Sequence, residues 1–136
     1  IASRNGGDLR PFLLYGAQGF VDGLTQAIKH LHRQQEQLMW QALVDDAFAG
    51  RHTEASHRQR LLAIELIHHD EWVPRGAVRR LSTQLSEAYA GKTPKTITRD
   101  INRLRKLDLI RVRSTRVRAN VALVRGMRPL VVGNAD

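Results

Sequence analysis

The fold is decided by residues 93–107, which read TPKTITRDINRLRKL. Threonine is a good N-cap residue and proline is favoured at the first helical position, so the stretch predicts a helix from Pro94 to about Leu107. On a helical wheel, Ile97, Ile101 and Leu104 share one face and are expected to pack on a core. The opposite side and its flanks carry polar and cationic side chains, namely Lys95, Thr96, Thr98, Arg99, Asn102, Arg103 and Lys106.

A basic hairpin is predicted directly after this helix, which Asp108 ends. Residues 109–113 and 117–124 alternate between apolar and polar side chains, as half-buried strands do, and residues 114–116 form a short turn between them. In the first strand the apolar residues face one way and the arginines face the other way. The cations that surround the turn are Arg113, Arg116 and Arg118.

Two further helices are predicted before residue 93. Thr53 or Ser56 can cap a helix that runs to about His69, and residues 70–74 break it. Pro74 suits the first turn of a second helix over about 75–87. Three helices followed by a hairpin is the element order of a winged helix-turn-helix. The predicted fold class is therefore mainly α with a small antiparallel hairpin, and the predicted winged-helix domain covers 53–128.

A long amphipathic helix is predicted over residues 19–49, within a helical segment 19–52 that Gly50 ends. Residues 1–18 and 129–136 are expected to be tails, and Ile1 is expected to be an interior residue of a longer protein. One apolar stripe runs along the helix, formed by Phe20, Leu24, Ile28, Leu31, Leu38, Ala42 and Leu43. This stripe must be covered by the winged-helix domain, by an N-terminal domain outside this chain or by a second copy in a homodimer.

The positive charge is concentrated in one part of the chain. The formal net charge is +9, and residues 95–128 hold eleven basic and two acidic side chains, so the remainder is neutral. Such asymmetry is typical of nucleic-acid contacts. The alternative for the whole surface is an arginine-rich composition without function, and the alternative for the hairpin is an edge strand that charge keeps soluble.

The predicted partner is duplex DNA. Arg99 has the geometry to bind guanine O6 and N7, and Asn102 has the geometry to pair with adenine. Thr96, Thr98 and the lysines of the third helix are expected to contact phosphates, and the hairpin arginines are expected to contact a backbone or a minor groove. The competing interpretation is a protein-interaction or dimerisation module that works through the long helix, with the winged helix as a scaffold.

Several other classes of function lack a pattern in the sequence. There is no cysteine, and we expect no metal site, because the six histidines have no ligand spacing. No apolar run is long enough to span a bilayer and no signal peptide begins the chain, so a cytoplasmic protein without a membrane partner is expected. No cofactor loop and no acid-base or nucleophile set is visible, so we expect no enzyme activity from this chain. Trp40 and Trp72 are expected to be core aromatics.

A resemblance to a known family adds to this interpretation. Four features carry it: the stretch 11–15 (PFLLY), the stretch 19–24 (GFVDGL) with the long helix after it, residues 73–75 (VPR), and residues 81–101, which end in KTPKTITRDI. Together they resemble the C-terminal part of Fic-family proteins, in which a catalytic core precedes a helical segment and a winged helix. The resemblance implies an accessory domain with a Fic-like domain upstream, in a parent that transfers AMP or a related group to protein hydroxyls. Fic catalysis uses a His-Pro-Phe motif, and this chain contains no His-Pro pair.

Overall fold

The structure is a computed structural model, and it describes residues 8–125. The fold is mainly helical with a small antiparallel sheet, as predicted. The elements in chain order are α1 (Arg10–Ala47), α2 (Glu54–Leu66), β1 (Val73–Pro74), a 3₁₀ helix (Arg75–Arg80), α3 (Thr83–Ala88), α4 (Pro94–Lys106), β2 (Ile110–Arg113), β3 (Arg116–Ala119) and α5 (Ala122–Arg125). The predicted tail 129–136 lies outside the described residues.

The long helix α1 starts earlier than the sequence pattern predicts. Its start was expected at Gly19, after a linker over 1–18, but the helix begins at Arg10. The Asp8 carboxylate accepts a hydrogen bond from the Arg10 backbone N–H at 3.0 Å, which satisfies one free donor of the first turn. At its other end the helix stops at Ala47, and Gly50 follows with a φ of 74°, the left-handed conformation that favours glycine.

The chain divides into two compact units, residues 1–35 and residues 36–136. In the first unit the apolar side chains of α1 are exposed: Phe20 is 68% exposed, Leu24 48% and Leu31 54%. In the second unit Trp40 is fully buried, as predicted, together with Val44. The indole N–H of Trp40 donates to the Ala63 carbonyl at 2.8 Å and so fixes the end of α1 against α2.

The predicted second helix over 75–87 is wrong, because this stretch is divided into a 3₁₀ helix and α3. Ser82 separates them with an extended backbone, and its side chain accepts from the Leu85 N–H, so it caps a new helix. Pro74 lies in β1 rather than in a first helical turn, and the Arg75 N–H donates to the Thr115 carbonyl at 2.8 Å. The start of the 3₁₀ helix is thereby tied to the hairpin.

The sheet has three strands in the order β1-β3-β2, and both pairings are antiparallel. Strand β1 was not predicted, because two residues carry no alternation. The predicted strand 117–124 is wrong after Ala119. There the buried Asn120 side chain donates to the Asp108 carbonyl at 2.9 Å, and the chain turns into α5. The predicted end of α4 is confirmed, since Asp108 has a φ of 61°.

A buried polar cluster holds α4 in place. The Asp100 carboxylate lies 2.6 Å from Arg58 Nε on α2, and it accepts from the Gln59 amide at 3.0 Å and from the Tyr89 hydroxyl at 2.9 Å. Burial and the neighbouring Asp100 carboxylate raise the pKa of Tyr89. The hydrogen bond to Asp100 raises the pKa of the Arg58 guanidinium. Because these three partners come from α2 and the end of α3, Asp100 determines which face of α4 points outward.

Candidate nucleic-acid interface

Helix α4 presents the two faces that its sequence predicts. Ile97, Ile101 and Leu104 are buried in the core, as is Asp100. The outer face is exposed at Lys95, Arg99, Asn102 and Lys106, and its flanks are half-buried at Thr96, Thr98 and Arg103. Four of these residues line one shallow groove of about 400 Å³ with Pro94, namely Lys95, Thr98, Arg99 and Asn102. Thr96, Arg103 and Lys106 lie on the same helix but do not line this groove.

No ion pair within residues 8–125 neutralises the cations predicted for the interface. Within residues 8–125 the acidic side chains that form ion pairs do so with other partners, such as Asp45 with Arg60 and Glu54 with Lys92. None of those ion pairs involves a predicted interface cation, a set that comprises Lys95, Arg99, Arg103, Lys106, Arg113, Arg116 and Arg118. Their positive charge is therefore available to an external anion.

The hairpin carries four arginines in two facing pairs. The register of β2 and β3 places Arg111 opposite Arg118 and Arg113 opposite Arg116. Residues two apart on a strand share a face, so all four side chains project from the same side of the hairpin. The other side carries Ile110, Val117 and Ala119, which are buried. Like charges directly opposite each other destabilise a sheet, so this arrangement has a cost within the folded chain.

Trp72 supports the hairpin instead of filling the core. Its predicted place as a core aromatic is wrong, because the side chain is only half-buried and lies outside the core cluster. The Arg113 guanidinium lies 5.0 Å from the centroid of its ring, a cation–π contact. Arg116 Nη1 also lies 3.5 Å from the Trp72 carbonyl, at the outer limit of a hydrogen bond. Trp72 therefore restrains the position of one guanidinium without cancelling its charge.

Sequence reasoning missed two sets of cations near this surface. Arg111 was assigned to the outer side of its strand but not to the interface, and only the strand register shows that it faces Arg118. Arg75, Arg79 and Arg80 come from the 3₁₀ helix and line a groove beside the first turn of α4. Their spacing in the sequence gave no signal, since one helix was predicted over about 75–87 instead of a 3₁₀ helix followed by α3.

In the described part of the chain, histidines and acidic residues form contacts other than a metal site. Between residues 8 and 125 no group of three or more His, Asp or Glu side chains is placed to hold a metal ion. His69 Nε2 instead lies 3.2 Å from the Glu65 carboxylate, and His68 lies 3.2 Å from the Gln37 amide. None of the helices in this part of the chain is both long enough and apolar enough to cross a bilayer.

No protein-family model matches the chain, and neither does any curated protein or solved structure. The likeness to Fic-family proteins therefore rests on the sequence pattern alone, and it stays a prediction. The functional conclusion has to be drawn from the geometry and the electrostatics of the surface.

Proposed function

We propose that the chain is a winged helix-turn-helix module that binds duplex DNA through α4 and the β2–β3 hairpin. The observation that carries this proposal is the hairpin register, which sets Arg111 against Arg118 and Arg113 against Arg116. Within the described residues no carboxylate pairs with them. A polyanion would offset the repulsion between these arginines, because each guanidinium would then lie next to a negative charge. DNA carries negative phosphates at a regular spacing.

Helix α4 supplies the groups that read the bases. Arg99 and Asn102 line one shallow groove on the outer face of the helix, three residues apart. Arginine binds guanine through two acceptors in the major groove, and asparagine binds adenine through one acceptor and one donor. The groups assigned to phosphate or sugar contacts are Lys95, Thr96, Thr98, Arg103 and Lys106 on α4, with Arg113, Arg116 and Arg118 on the hairpin.

The test is a binding titration of fluorescently labelled random duplex DNA at several salt concentrations. Each neutralised phosphate contributes a slope of about −0.9 to log K against log salt. If all seven predicted cations contacted phosphate, the slope would be about −6, and any cation that reads a base instead makes it shallower. Binding that does not respond to salt would contradict the proposal.

A double variant tests the location of the interface. Arg99→Ala with Arg116→Ala removes one cation from α4 and one from the hairpin, and both are exposed. The matched control is Lys29→Ala with Arg33→Ala, which removes the same charge from exposed positions of α1. We expect the first variant to lose affinity for the duplex by more than tenfold and the control to keep nearly the affinity of the unsubstituted chain. Equal losses in both variants would show that only net charge matters.

The proposal extends to the parent protein and its location. We infer an accessory domain of a Fic-like nucleotidyltransferase, because the pattern ending in KTPKTITRDI resembles that family. In that case a Fic-like domain lies upstream in the parent chain. A His-Pro-Phe motif upstream of Ile1 in the parent sequence would support this assignment, and its absence there would contradict it. We also propose that this protein works in the cytoplasm.

A second candidate function is homodimerisation through α1. Phe20, Leu24, Ile28 and Leu31 recur at steps of three and four, and each of them is at least 42% exposed. A stripe with this spacing is suited to pairing with an identical helix, since the charged residues Asp22, Lys29 and Arg33 lie off it. Residues of α1 beyond this stripe, such as Trp40 and Val44, are already buried within the second unit.

Sedimentation equilibrium tests this second candidate. Leu24→Gln with Leu31→Gln should shift a dimer towards monomer, whereas Lys29→Gln with Arg33→Gln should not. A stable dimer without affinity for DNA would favour a protein-interaction module over the first proposal. A monomer at all concentrations would exclude dimerisation through α1.

A further inference from the structure

A second groove, of about 700 Å³, adjoins the first turn of α4. The 3₁₀ helix, the hairpin turn at Thr115 and the start of α4 form its walls. Pro74 and Pro94 provide exposed apolar surface, and the charged residues that line the groove are Arg75, Arg79, Arg80 and Lys92. No acidic residue lines this groove, so its electrostatic character is strongly positive.

Two of these four cations remain without a partner among residues 8–125. Lys92 Nζ lies 3.0 Å from the Glu54 carboxylate, and Arg79 donates to the Lys92 carbonyl at 3.2 Å. Arg80 is exposed, and the described residues give its guanidinium no ion pair. Arg75 is half-buried, and its Nε is fully buried without a hydrogen-bond acceptor. A buried donor of this kind is costly unless an acceptor reaches it.

This groove lies next to the groove on the outer face of α4. Pro94 and Thr98 line both of them. A ligand that passes from one groove to the other therefore crosses the first turn of α4, where the positive end of the helix dipole lies. The side chain of Thr93 makes no capping hydrogen bond there, in contrast to Thr53 at the start of α2.

We propose that this second groove holds a phosphodiester of the DNA backbone, bound by Arg75 and Arg80. The inference rests on the proposed function and extends it, because it directs one DNA strand across the first turn of α4 to residues outside the predicted interface. The guanidinium groups match the phosphate oxygens in charge and geometry. The exposed apolar surface of Pro74 and Pro94 suits the deoxyribose that follows.

The test uses the whole chain with Arg75→Gln and Arg80→Gln, made singly and together, and the same duplex. Glutamine keeps most of the side-chain length, and the Arg75 N–H bond to the Thr115 carbonyl is a backbone contact that the change leaves in place. The matched control is Arg51→Gln, an exposed arginine outside both grooves. The double variant should reduce the magnitude of the salt slope by about 0.9, because it removes one phosphate contact, and lower the affinity by about five- to tenfold near 0.1 M salt. Each single variant should show part of the same change.

A duplex series with single neutral methylphosphonates then locates the contact. A methylphosphonate at one position of the duplex should weaken binding of the unsubstituted chain. The same methylphosphonate should leave binding of the double variant unchanged, because the change in the DNA and the change in the protein remove the same contact. The groove variants should prefer the same base sequences as the unsubstituted chain, since phosphate contacts do not read bases.

The outcomes separate this inference from the proposed function. If the unsubstituted chain does not bind DNA, both the proposed function and the groove inference fail. If it binds and the groove variants match Arg51→Gln, the groove inference alone is overturned. Thermal melting checks the fold of each variant, and if Arg75→Gln unfolds, Arg80→Gln decides the question because its side chain is exposed.

Discussion

Replacing Arg116 by glutamine should make the protein more stable while weakening the proposed binding to DNA. Arg116 lies directly opposite Arg113 in the hairpin register. Its own side-chain contact is a 3.5 Å approach to the Trp72 carbonyl, which is too long to contribute much. Cross-strand pairs contribute roughly 0.2–1 kcal/mol, and like charges destabilise by a comparable amount. We therefore expect the free energy of unfolding to rise by about 0.2–1 kcal/mol.

Urea denaturation at increasing salt measures this effect and identifies its cause. The Debye length falls from about 10 Å at 0.1 M salt to about 3 Å at 1 M salt, so added salt weakens the repulsion between the arginines. The gain in stability should therefore shrink as salt is added. The control is Arg33→Gln on α1, which removes the same charge from an exposed helical position. Affinity for duplex DNA should fall by about five- to tenfold in the hairpin variant and remain unchanged in the control.

Two results would refute this reasoning. A loss of stability above about 1 kcal/mol would show that Arg116 is a structural residue, since exposed positions without special contacts change stability by only about half that amount. A gain in stability that does not depend on salt would show that repulsion between the paired arginines is not its source. Either result would remove the argument that the hairpin retains an electrostatic cost for the sake of binding.

Three further predictions concern the folded state. Thr53→Ala should cost about 1 kcal/mol in urea denaturation, because the Thr53 side chain accepts from the Ser56 N–H at 3.0 Å, whereas Thr93→Ala should cost only a few tenths, because Thr93 makes no such bond. Asp100→Ala should cost about 3–5 kcal/mol in the same assay, since it leaves the buried Arg58 with only the exposed Glu54 carboxylate at 3.9 Å, and a loss below about 1 kcal/mol would contradict this role. Burial raises the pKa of Tyr89 in the folded chain. Its contribution to the free energy of unfolding is therefore fully present below a pH of about 10, the pKa of an unfolded tyrosine, and is lost as the pH rises above that value. In a Tyr15→Phe background Tyr89 is the sole tyrosine, and its phenolate absorbance should appear together with unfolding rather than before it.

Where local signals agree, the sequence predicts the fold well. Thr93, Pro94 and the spacing of Ile97 and Ile101 predict α4, which begins at Pro94 as expected. The prediction fails where tertiary contacts override a pattern. Residues 117–124 alternate like a strand, yet the bond from the Asn120 amide to the Asp108 carbonyl ends β3 and allows α5 to form.

The interface is predictable only in its helical part. A helical wheel places Arg99 and Asn102 on the outer face of α4 without knowledge of the rest of the chain. The pairing of Arg111 with Arg118 depends on strand register, which the turn at residues 114–115 determines. The groove at Arg75 and Arg80 is less predictable still, because it forms only where three elements distant in the sequence meet.

The position of the arginines in the sheet distinguishes binding from solubility. Charge that protects a sheet from aggregation is needed on an edge strand, and β2 with Arg111 and Arg113 is such a strand. Arg116, however, lies on β3 between Pro74 of β1 and Arg113 of β2, at a central position of the sheet where no edge needs protection. Arg58 shows how this fold stabilises an arginine, with a carboxylate at 2.6 Å. Within residues 8–125 the facing arginine pairs have no carboxylate partner, so an external anion is the partner that would offset the repulsion between them.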